Sequence, residues 1–293
     1  MLVGARGAEQ GTARRHRGLR SGAARAYAWR VQLCGIFVYP IKACAGISLE
    51  RSDVVERGLA FDRRYMLADR DGNFISQREV PQLCLVGTAF DGAWIAVTAA
   101  GRETLLLPRE LSGGALEHRP YRVWGAAGDA LRHPEGSRWF SELLDDEVNL
   151  LYMPDDERRA VSPPRARAGD IVSFADGYPL LIISEASLGD LNSRLATPLD
   201  MRRFRPSLTV SGCAPYAEDD FSSIRIGAIS FRGVKRCPRC AVITVDPDTG
   251  RRDPAPLRAL ARYRERDGGV YFGMNLIHDR TGSLQRGDAV YSL

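Results

Sequence analysis

The feature that most constrains the fold is a succession of short runs of β-branched and aliphatic residues, each closed by turn residues. WIAVTA (94–99), YRVWG (121–125), GDIVSF (169–174), YPLLIIS (178–184) and GGVYFGMNL (268–276) are typical. Runs of this length between turn residues indicate β-strands, and the chain has no repeat at the roughly 20–50-residue period of a solenoid or propeller. We therefore predict a mainly β protein with a few helices, of β-barrel or α+β architecture.

Three segments interrupt this pattern with apolar residues at helical spacing. SRWFSELL predicts a short helix over 137–144 with Ser137 as its N-cap. A second helix is predicted over 185–196, capped by Ser184. A third is predicted over 255–264, where the prolines fall at the start, a position that tolerates them.

Changes in composition divide the chain into parts. Residues 1–30 contain seven arginines and one acidic residue, and their lack of any period predicts a disordered tail. A transit peptide and a mis-assigned start are the alternatives. Residues 154–170 are polar and contain three prolines, which predicts a linker or long surface loop between a domain at 31–153 and a domain at 171–293.

Charge and composition exclude some classes of function. The net charge is +5, and because the tail carries +6 (seven arginines less one acid), the rest carries about −1. Such a body has no basic field for nucleic acid. No apolar run reaches the roughly 18 residues that span a bilayer. Six cysteines in a long chain without a recognisable signal peptide indicate reduced thiols, and we expect a cytoplasmic protein without a membrane partner.

The familiar catalytic motifs are missing from the sequence. The four histidines have no metal-ligand spacing to one another or to cysteine, aspartate or glutamate. There is no G-x-S-x-G elbow, no G-x-x-x-x-G-K phosphate loop and no G-x-G-x-x-G between a strand and a helix. A Ser-His-Asp triad needs no such local motif and stays open, but nothing in the sequence marks one.

The cysteine pair in Cys237-Pro238-Arg239-Cys240 is the strongest candidate. A redox C-x-x-C opens a helix, whereas this one precedes a β-branched run at 242–245 that predicts a strand. A structural zinc site needs a second ligand pair, which the sequence lacks. A single thiolate beside Arg239 would suit a metal that arrives in a cofactor with its other ligands. The alternative is that Cys240 is a small buried apolar residue.

Four segments place lysine or arginine at the ends of predicted strands. They are YPIKAC (39–44), SQR (76–78) at the end of a hairpin predicted from an Asp-Gly turn, RRFRPSLTV (202–210) and KRCPRC (235–240). Each of the two lysines of the chain lies in one of them. Together, cations for a phosphate and a thiolate for a soft metal would suit an anionic metal cofactor. The alternative for each segment is a solvated loop.

These segments, in this order, resemble the MOSC family with its N-terminal β-barrel partner domain. The resemblance is carried by YPIKAC, LADRDGNFISQREVPQL, LIISEASLGDLNSRL, RRFRPSLTVSGC and CPRCAVITVDPDTG. The chain is similar in particular to the mitochondrial amidoxime-reducing component and its bacterial relatives. The resemblance implies a MOSC N-terminal β-barrel-like domain at 31–153 packed on a MOSC β-barrel domain at 171–293.

The resemblance also implies a molybdenum cofactor, with molybdenum held by a pterin dithiolene and by one protein cysteine. It assigns metal binding and catalysis to Cys240. It assigns cofactor binding to Lys42, Ala43, Arg78, Arg205, Ser207 and Arg239. Ala43 and Ser207 depart from the serine and asparagine that the family often has there, which affects the expected substrate more than the expected cofactor.

The implied activity is a molybdenum-dependent oxidoreductase that reduces N-hydroxylated substrates such as amidoximes and hydroxylamines. Because the sequence stops at Leu293 without a ferredoxin domain, we expect a separate electron-donor protein. One alternative is a sulfur carrier or cofactor-maturation protein that uses a cysteine persulfide on Cys240. Another is a non-enzymatic β-barrel binding module whose cysteines only pack.

Overall fold

The computed structural model describes residues 31–111, 116–161 and 165–293, so the predicted disordered tail at 1–30 lies outside the described residues. The α-helices are α1 (Pro134–Leu144), α2 (Glu185–Asn192) and α3 (Ala255–Arg264). Short 3-10 turns cover Pro81–Leu85, Met201–Phe204, Ala217–Asp220 and Ala241–Thr244. The strands are β1 (Gln32–Val38), β2 (Ile47–Leu49), β3 (Arg51–Val55), β4 (Gly58–Leu59), β5 (Tyr65–Ala68), β6 (Gly87–Asp91), β7 (Trp94–Thr98), β8 (Leu105–Pro108), β9 (His118–Val123), β10 (Ala126–Arg132), β11 (Asn149–Tyr152), β12 (Leu180–Ser184), β13 (Leu208–Ser211), β14 (Ser223–Ile226), β15 (Ile229–Pro238), β16 (Glu265–Arg266), β17 (Gly269–His278), β18 (Gly282–Gln285) and β19 (Val290–Ser292).

The largest sheet joins the two ends of the described chain. Its strands follow the order β19-β14-β15-β17-β12-β13-β1-β2, and β16 also pairs with β17. β1 is antiparallel to β13, with Gln32 opposite Ser211, while β12 and β13 are parallel neighbours. Ile36, Leu208 and Phe231 are fully buried in the core of this sheet. The predicted division of the chain at 154–170 stays a prediction.

The other sheets build the rest of the molecule. A four-stranded sheet has the order β5-β11-β10-β9, and a three-stranded one has the order β6-β7-β8. They share an apolar core with α1, in which Tyr65, Phe140 and Leu150 are buried. A third sheet pairs β18 with β3 and β3 with β4. The prediction of a mainly β fold with a few helices is confirmed.

The first helix begins earlier than the sequence predicts. His133, not Ser137, is the N-cap, and its Nδ1 accepts a hydrogen bond from the Gly136 amide at 3.0 Å. Pro134 takes the first helical position, where its missing N–H costs nothing. The Ser137 hydroxyl instead donates to the His133 carbonyl at 2.8 Å and accepts from the Leu150 amide at 2.9 Å, which ties α1 to β11.

The other two helices follow the prediction more closely. Ser184 caps α2, since its hydroxyl accepts a hydrogen bond from the Ser187 amide at 3.0 Å. α2 ends at Asn192 rather than at residue 196, because the Asn192 side chain closes a loop onto the Leu199 backbone with bonds of 2.8 and 3.0 Å. α3 has the predicted bounds. Within the described residues, no helix has the length and apolarity needed to cross a bilayer.

Two predicted strands are wrong. The run at 242–245 lies mostly in the 3-10 turn Ala241–Thr244. β15 has already ended at Pro238, and the Ile243 side chain packs in an apolar cluster with Phe204 and Phe272. The β-branched side chains therefore fill a core rather than a pleat. The predicted strand at 169–174 is reduced to an isolated bridge between Ile171 and Ala160.

The segment after β5 forms a turn that docks on β9. Gly72 has φ +83, and a Cβ built on it would lie 2.3 Å from the Pro120 carbonyl oxygen, so this close approach requires glycine. The Arg122 amide donates to the Gly72 carbonyl at 2.7 Å, and the Phe74 amide donates to the Arg122 carbonyl at 3.2 Å. The predicted hairpin is thus a turn with a single bridge, between Ala68 and Phe74, held against the β9–β10 hairpin.

Candidate functional site

A cleft of about 180 Å³ opens where the end of β15 meets the 3-10 turn Met201–Phe204 and the loops at 41–44 and 173–178. Side chains from distant parts of the sequence converge there because β1, β12, β13, β15 and β17 belong to one sheet. The sequence-predicted residues that line it are Lys42, Ala43, Arg205, Ser207, Arg239 and Cys240. Arg78, the remaining predicted residue, is not among the lining residues.

The two cysteines of the C-x-x-C element have different surroundings. Cys240 immediately precedes the 3-10 turn Ala241–Thr244, and its side chain is exposed. Cys237 lies near the end of β15 and is partly buried, and burial raises the pKa of its thiol. Cys240 is therefore the accessible thiol of the cleft.

Arg239 offers a spare hydrogen-bond donor to the cleft. Its Nε donates to the Phe272 carbonyl at 2.8 Å and its Nη1 to the Phe204 carbonyl at 3.0 Å. Its Nη2 is buried and has no hydrogen-bond partner among the described residues. A buried N–H without a partner is costly, so this nitrogen is suited to an anionic or carbonyl-bearing ligand.

Lys42 is buried and paired. Its Nζ donates to the Phe174 carbonyl at 2.8 Å and to Asp176 Oδ1 at 2.5 Å. Partial loss of hydration would raise the pKa of Asp176, although 69% of its side chain stays exposed, but the Lys42 ammonium beside it holds that pKa well below its usual range. Arg159 donates to three backbone carbonyls of the loop at 173–176, which fixes the partners of Lys42 in place.

Arg205 and Arg63 both stack on the ring of Tyr39. Their guanidinium carbons lie 4.2 and 4.3 Å from the ring centroid. Arg205, in the left-handed region at φ +53, also donates from Nη1 to the Cys44 carbonyl at 2.7 Å. Arg63 is ion-paired with buried Asp62. The burial of Tyr39 raises its pKa to about 12, so the phenol stays neutral between the two cations.

Ala43 and Ser207 shape the backbone of the cleft rather than its charge. Ala43 has φ +74, and its carbonyl accepts a hydrogen bond from the Gln77 side chain. Ser207 is buried, and its hydroxyl accepts from the Leu181 amide at 3.3 Å. These two residues therefore fix the backbone of the loop after Lys42 and the backbone of β12 beside the cationic side chains.

Arg78 lies beside the cleft. Its guanidinium stacks on the ring of Trp124, with the carbon 4.4 Å from the centroid, and its Nε lies 3.3 Å from Ser76 Oγ. Ser76 and Gln77 line the cleft. The segment predicted from the hairpin thus contributes to the site through Ser76 and Gln77, while its arginine is held beside the cleft by Trp124.

Three cleft residues are missed by reasoning from the sequence. Arg63 follows a buried aspartate and precedes β5, a basic residue at a strand end like those in the four chosen segments. Asp176 follows the polar segment that the sequence predicts to be a linker. Asn275 lies in β17, where nothing in the sequence marks it; its amide donates to the Lys235 carbonyl at 3.1 Å.

The donor set of the cleft fits an anion that brings its own metal ligands. Five cationic side chains line it: Lys42, Arg63, Arg203, Arg205 and Arg239. Asp176 is the one carboxylate among the described lining residues. In the part of the chain that the structure describes, no group of three or more His, Cys, Asp or Glu side chains could hold a metal ion. A soft metal would therefore need most of its ligands from a cofactor.

The chain matches two known protein families over most of its length. Residues 30–147 match the MOSC N-terminal beta barrel domain, and residues 169–291 match the MOSC domain.

The chain is also similar to curated proteins along most of its sequence. It is 33% identical over 283 residues to mitochondrial amidoxime reducing component 2 of Rattus norvegicus, covering 88% of this chain and 82% of the relative. It is 32% identical over 278 residues to mitochondrial amidoxime-reducing component 1 of Homo sapiens, with the same coverage of 88% and 82%. It is 32% identical over 270 residues to molybdenum cofactor sulfurase of Solanum lycopersicum, covering 84% of this chain and 33% of that relative.

Proposed function

This chain belongs to the MOSC family, and from that premise we propose that it is a molybdenum-cofactor-dependent oxidoreductase that reduces N-hydroxylated compounds. The names of two of its relatives, amidoxime-reducing components, support the substrate class. The observation that carries the proposal is the exposed thiol of Cys240 in a cleft lined by cationic side chains. Anion binding alone does not explain this thiol, whereas a metal-bearing cofactor or a persulfide would use it.

The cationic side chains are proposed to hold the cofactor. The phosphate of a pterin cofactor would take Lys42 and Arg205, since both are cations of the cleft wall, Lys42 buried and Arg205 partly buried. The unpartnered Nη2 of Arg239 would donate to the same group. Ala43 and Ser207 would hold the backbone around it, and Arg78 would contribute from beside the cleft. Once bound, the molybdenum centre would supply the two-electron chemistry that cleaves an N–O bond.

Cys240 is proposed as the protein ligand of the metal. A thiolate is a soft ligand that suits molybdenum, and this one is open to the cleft. Cys237, three residues earlier, is disfavoured because burial raises the pKa of its thiol and so keeps it protonated. The two cysteines therefore make a matched pair for experiment.

Proton supply at the site does not come from Asp176 near neutral pH. The Lys42 ammonium holds the Asp176 carboxyl ionised, with a pKa well below its usual range even though partial loss of hydration acts to raise it. An ionised carboxylate accepts hydrogen bonds and cannot act as a general acid. We propose that Asp176 orients Lys42, and that the proton for the leaving oxygen comes from solvent.

We propose further that a separate protein supplies the electrons and that the chain works in the cytoplasm. All six cysteines are free, which supports a reducing compartment. The second function to weigh is sulfur transfer or cofactor maturation through a persulfide on Cys240. The likeness to molybdenum cofactor sulfurase supports it, although the chain spans about a third of that relative.

The test is metal analysis of protein expressed in a host that makes the cofactor, for the wild type, Cys240→Ser and Cys237→Ser. We expect stoichiometric molybdenum in the wild type and in Cys237→Ser, and lost metal or an altered metal spectrum in Cys240→Ser. Turnover of benzamidoxime with a viologen reductant should be seen only in the proteins that contain molybdenum. Metal-replete protein that reduces no N-hydroxylated compound would refute the activity. Labile sulfane sulfur without molybdenum would favour sulfur transfer.

A further inference from the structure

Trp124 occupies an unfavourable position for a large aromatic residue. It lies in the turn between β9 and β10, with φ +55, in the left-handed region that bulky residues avoid. The residue is 53% exposed, although a large aromatic side chain gains much from burial. Strain of this kind persists where the surroundings impose it, and it marks a position whose contacts call for a functional explanation.

The contacts of Trp124 link two predicted site residues. Its indole Nε1 donates to Asp176 Oδ1 at 3.2 Å. Its ring lies against Phe74, with centroids 5.2 Å apart, and under the Arg78 guanidinium at 4.4 Å. Lys42 Nζ lies 5.0 Å from the same Phe74 ring. Trp124 thus touches the counter-ion of Lys42 on one side and Arg78 on the other.

The hydrogen bonds of Lys42 show how the contact between Trp124 and Asp176 affects the cleft. An ammonium has three N–H donors, and Lys42 uses two of them, on the Phe174 carbonyl and on Asp176 Oδ1. Among the described residues the third has no partner, which leaves it for a ligand in the cleft. Arg63 and Arg159 add positive charge around Lys42, so the ammonium depends on Asp176 as its counter-ion.

Asp176 cannot hold its own position. Its side chain is 69% exposed, and a surface carboxylate is free to rotate unless a second bond fixes it. The second bond comes from Trp124, which uses the same Oδ1 that accepts from Lys42. The hairpin that carries Trp124 is in turn held by the turn at Gly72 through the Arg122 amide.

We propose that Trp124 is a positioning residue for the anion-binding end of the cleft: it fixes Asp176 against Lys42, so that the ammonium faces an anionic group in the cleft, and it holds Arg78 by stacking beside the cleft. The identity of that group as the cofactor phosphate rests on the proposed function. The positioning itself depends only on contacts within the chain, and it can be measured without cofactor.

The sequence offers a direct assay, because Lys42 and Lys235 are its only two lysines. Cofactor-free protein at pH 8 is acetylated with limiting acetic anhydride, and the two sites are quantified by peptide mass spectrometry. Only the neutral amine reacts. Labelling of Lys42 therefore rises when its ammonium loses the stabilising contact with Asp176 and a larger fraction of the amine is neutral. Lys235, exposed on β15, is the internal reference in the same sample.

Trp124→Phe keeps an aromatic ring for Arg78 and removes the N–H donor. We expect the Lys42 to Lys235 labelling ratio to rise about two- to tenfold, the effect of one lost hydrogen bond. Asp176→Asn should raise it further. The matched control is Trp94→Phe, because Trp94 is a comparably exposed tryptophan, 47%, on β7 outside the cleft lining. This control should leave the ratio unchanged.

An unchanged ratio in Trp124→Phe, with the protein folded by circular dichroism, would overturn the proposal. So would an unchanged ratio in Asp176→Asn, since Asp176 would then not be the counter-ion of Lys42. Molybdenum analysis of the same variants keeps the two proposals apart. A raised ratio in Trp124→Phe with no molybdenum in any variant would uphold the positioning role and remove the cofactor.

Discussion

Replacing Gly72 by alanine tests how the turn after β5 supports the site. Gly72 has φ +83, and an added Cβ would lie 2.3 Å from the Pro120 oxygen and 3.1 Å from its carbonyl carbon. Both are backbone atoms of β9 and cannot move aside as a flexible side chain can. The turn must therefore separate from β9.

The expected loss of stability follows from two contributions. An alanine in the left-handed region costs about 1–2 kcal/mol. Separation from β9 weakens two backbone hydrogen bonds, from the Arg122 amide to the Gly72 carbonyl and from the Phe74 amide to the Arg122 carbonyl. Each contributes about 0.5–1.5 kcal/mol, so Gly72→Ala should lower the free energy of unfolding by about 2–5 kcal/mol in all.

Gly101→Ala is the matched control. Gly101 also has a positive φ, +72, but nothing lies within 4 Å of the position that its Cβ would take. It should cost only the backbone contribution, about 1–2 kcal/mol. Urea unfolding of both variants, compared at equal slopes, measures the difference. Equal destabilisation of the two would refute the argument that the turn is docked on β9.

Three further predictions concern the cleft itself. Iodoacetamide should modify exposed Cys240 first and buried Cys44 last, because burial raises the pKa of Cys44 to about 12. Peptide mapping over time measures the order of modification, and early modification of Cys44 would contradict it. Although partial loss of hydration alone would raise the pKa of Asp176, its pairing with Lys42 lowers it. The pair therefore stabilises the fold above about pH 4, and this contribution is lost as the pH falls through the depressed value. Acid unfolding should therefore be shallower in Asp176→Asn, and identical acid limbs would count against the pair. Lys42→Met should lose molybdenum while Lys235→Met retains it, and equal metal content in both would remove Lys42 from the site.

The parts of the fold that are determined by residues close together in the sequence could be predicted from it. α2 begins where Ser184 offers a cap, and α3 has the predicted bounds, because caps and apolar spacing act within a turn or two. The first helix shows the limit of that reasoning. Ser137 looks like a cap, yet its hydroxyl is used by the Leu150 amide of another element, which no local pattern reveals.

The strand predicted at 242–245 fails for a related reason. β-Branched residues favour strands only where a neighbouring strand is available to pair. β15 ends at Pro238, which has no N–H to donate, and the following residues turn to bury Ile243 beside Phe204 and Phe272. Tertiary packing therefore decides the local structure.

The site can be predicted where its residue types carry the information. Cys240 is marked by its chemistry and Lys42 by its rarity, and both line the cleft. Asp176 cannot be predicted, because its meaning comes from meeting Lys42, 134 positions earlier in the chain. The sequence places Trp124 in a strand, and only its contacts with Arg78 and Asp176 reveal its place beside the site.

The pairing of β1 with β13 cannot form until most of the chain has been synthesised. On the ribosome, Gln32 is made long before Ser211, its partner, and at about 5–20 residues per second the delay is roughly 10–40 s. During that time β1, whose Leu33, Ile36 and Val38 are all fully buried in the finished protein, has only the short strand β2 as a neighbour, and its other edge is open. Its pairing has a high contact order, which slows folding. Nascent chains halted before residue 208 should therefore remain bound to chaperones, however completely their other sheets have formed.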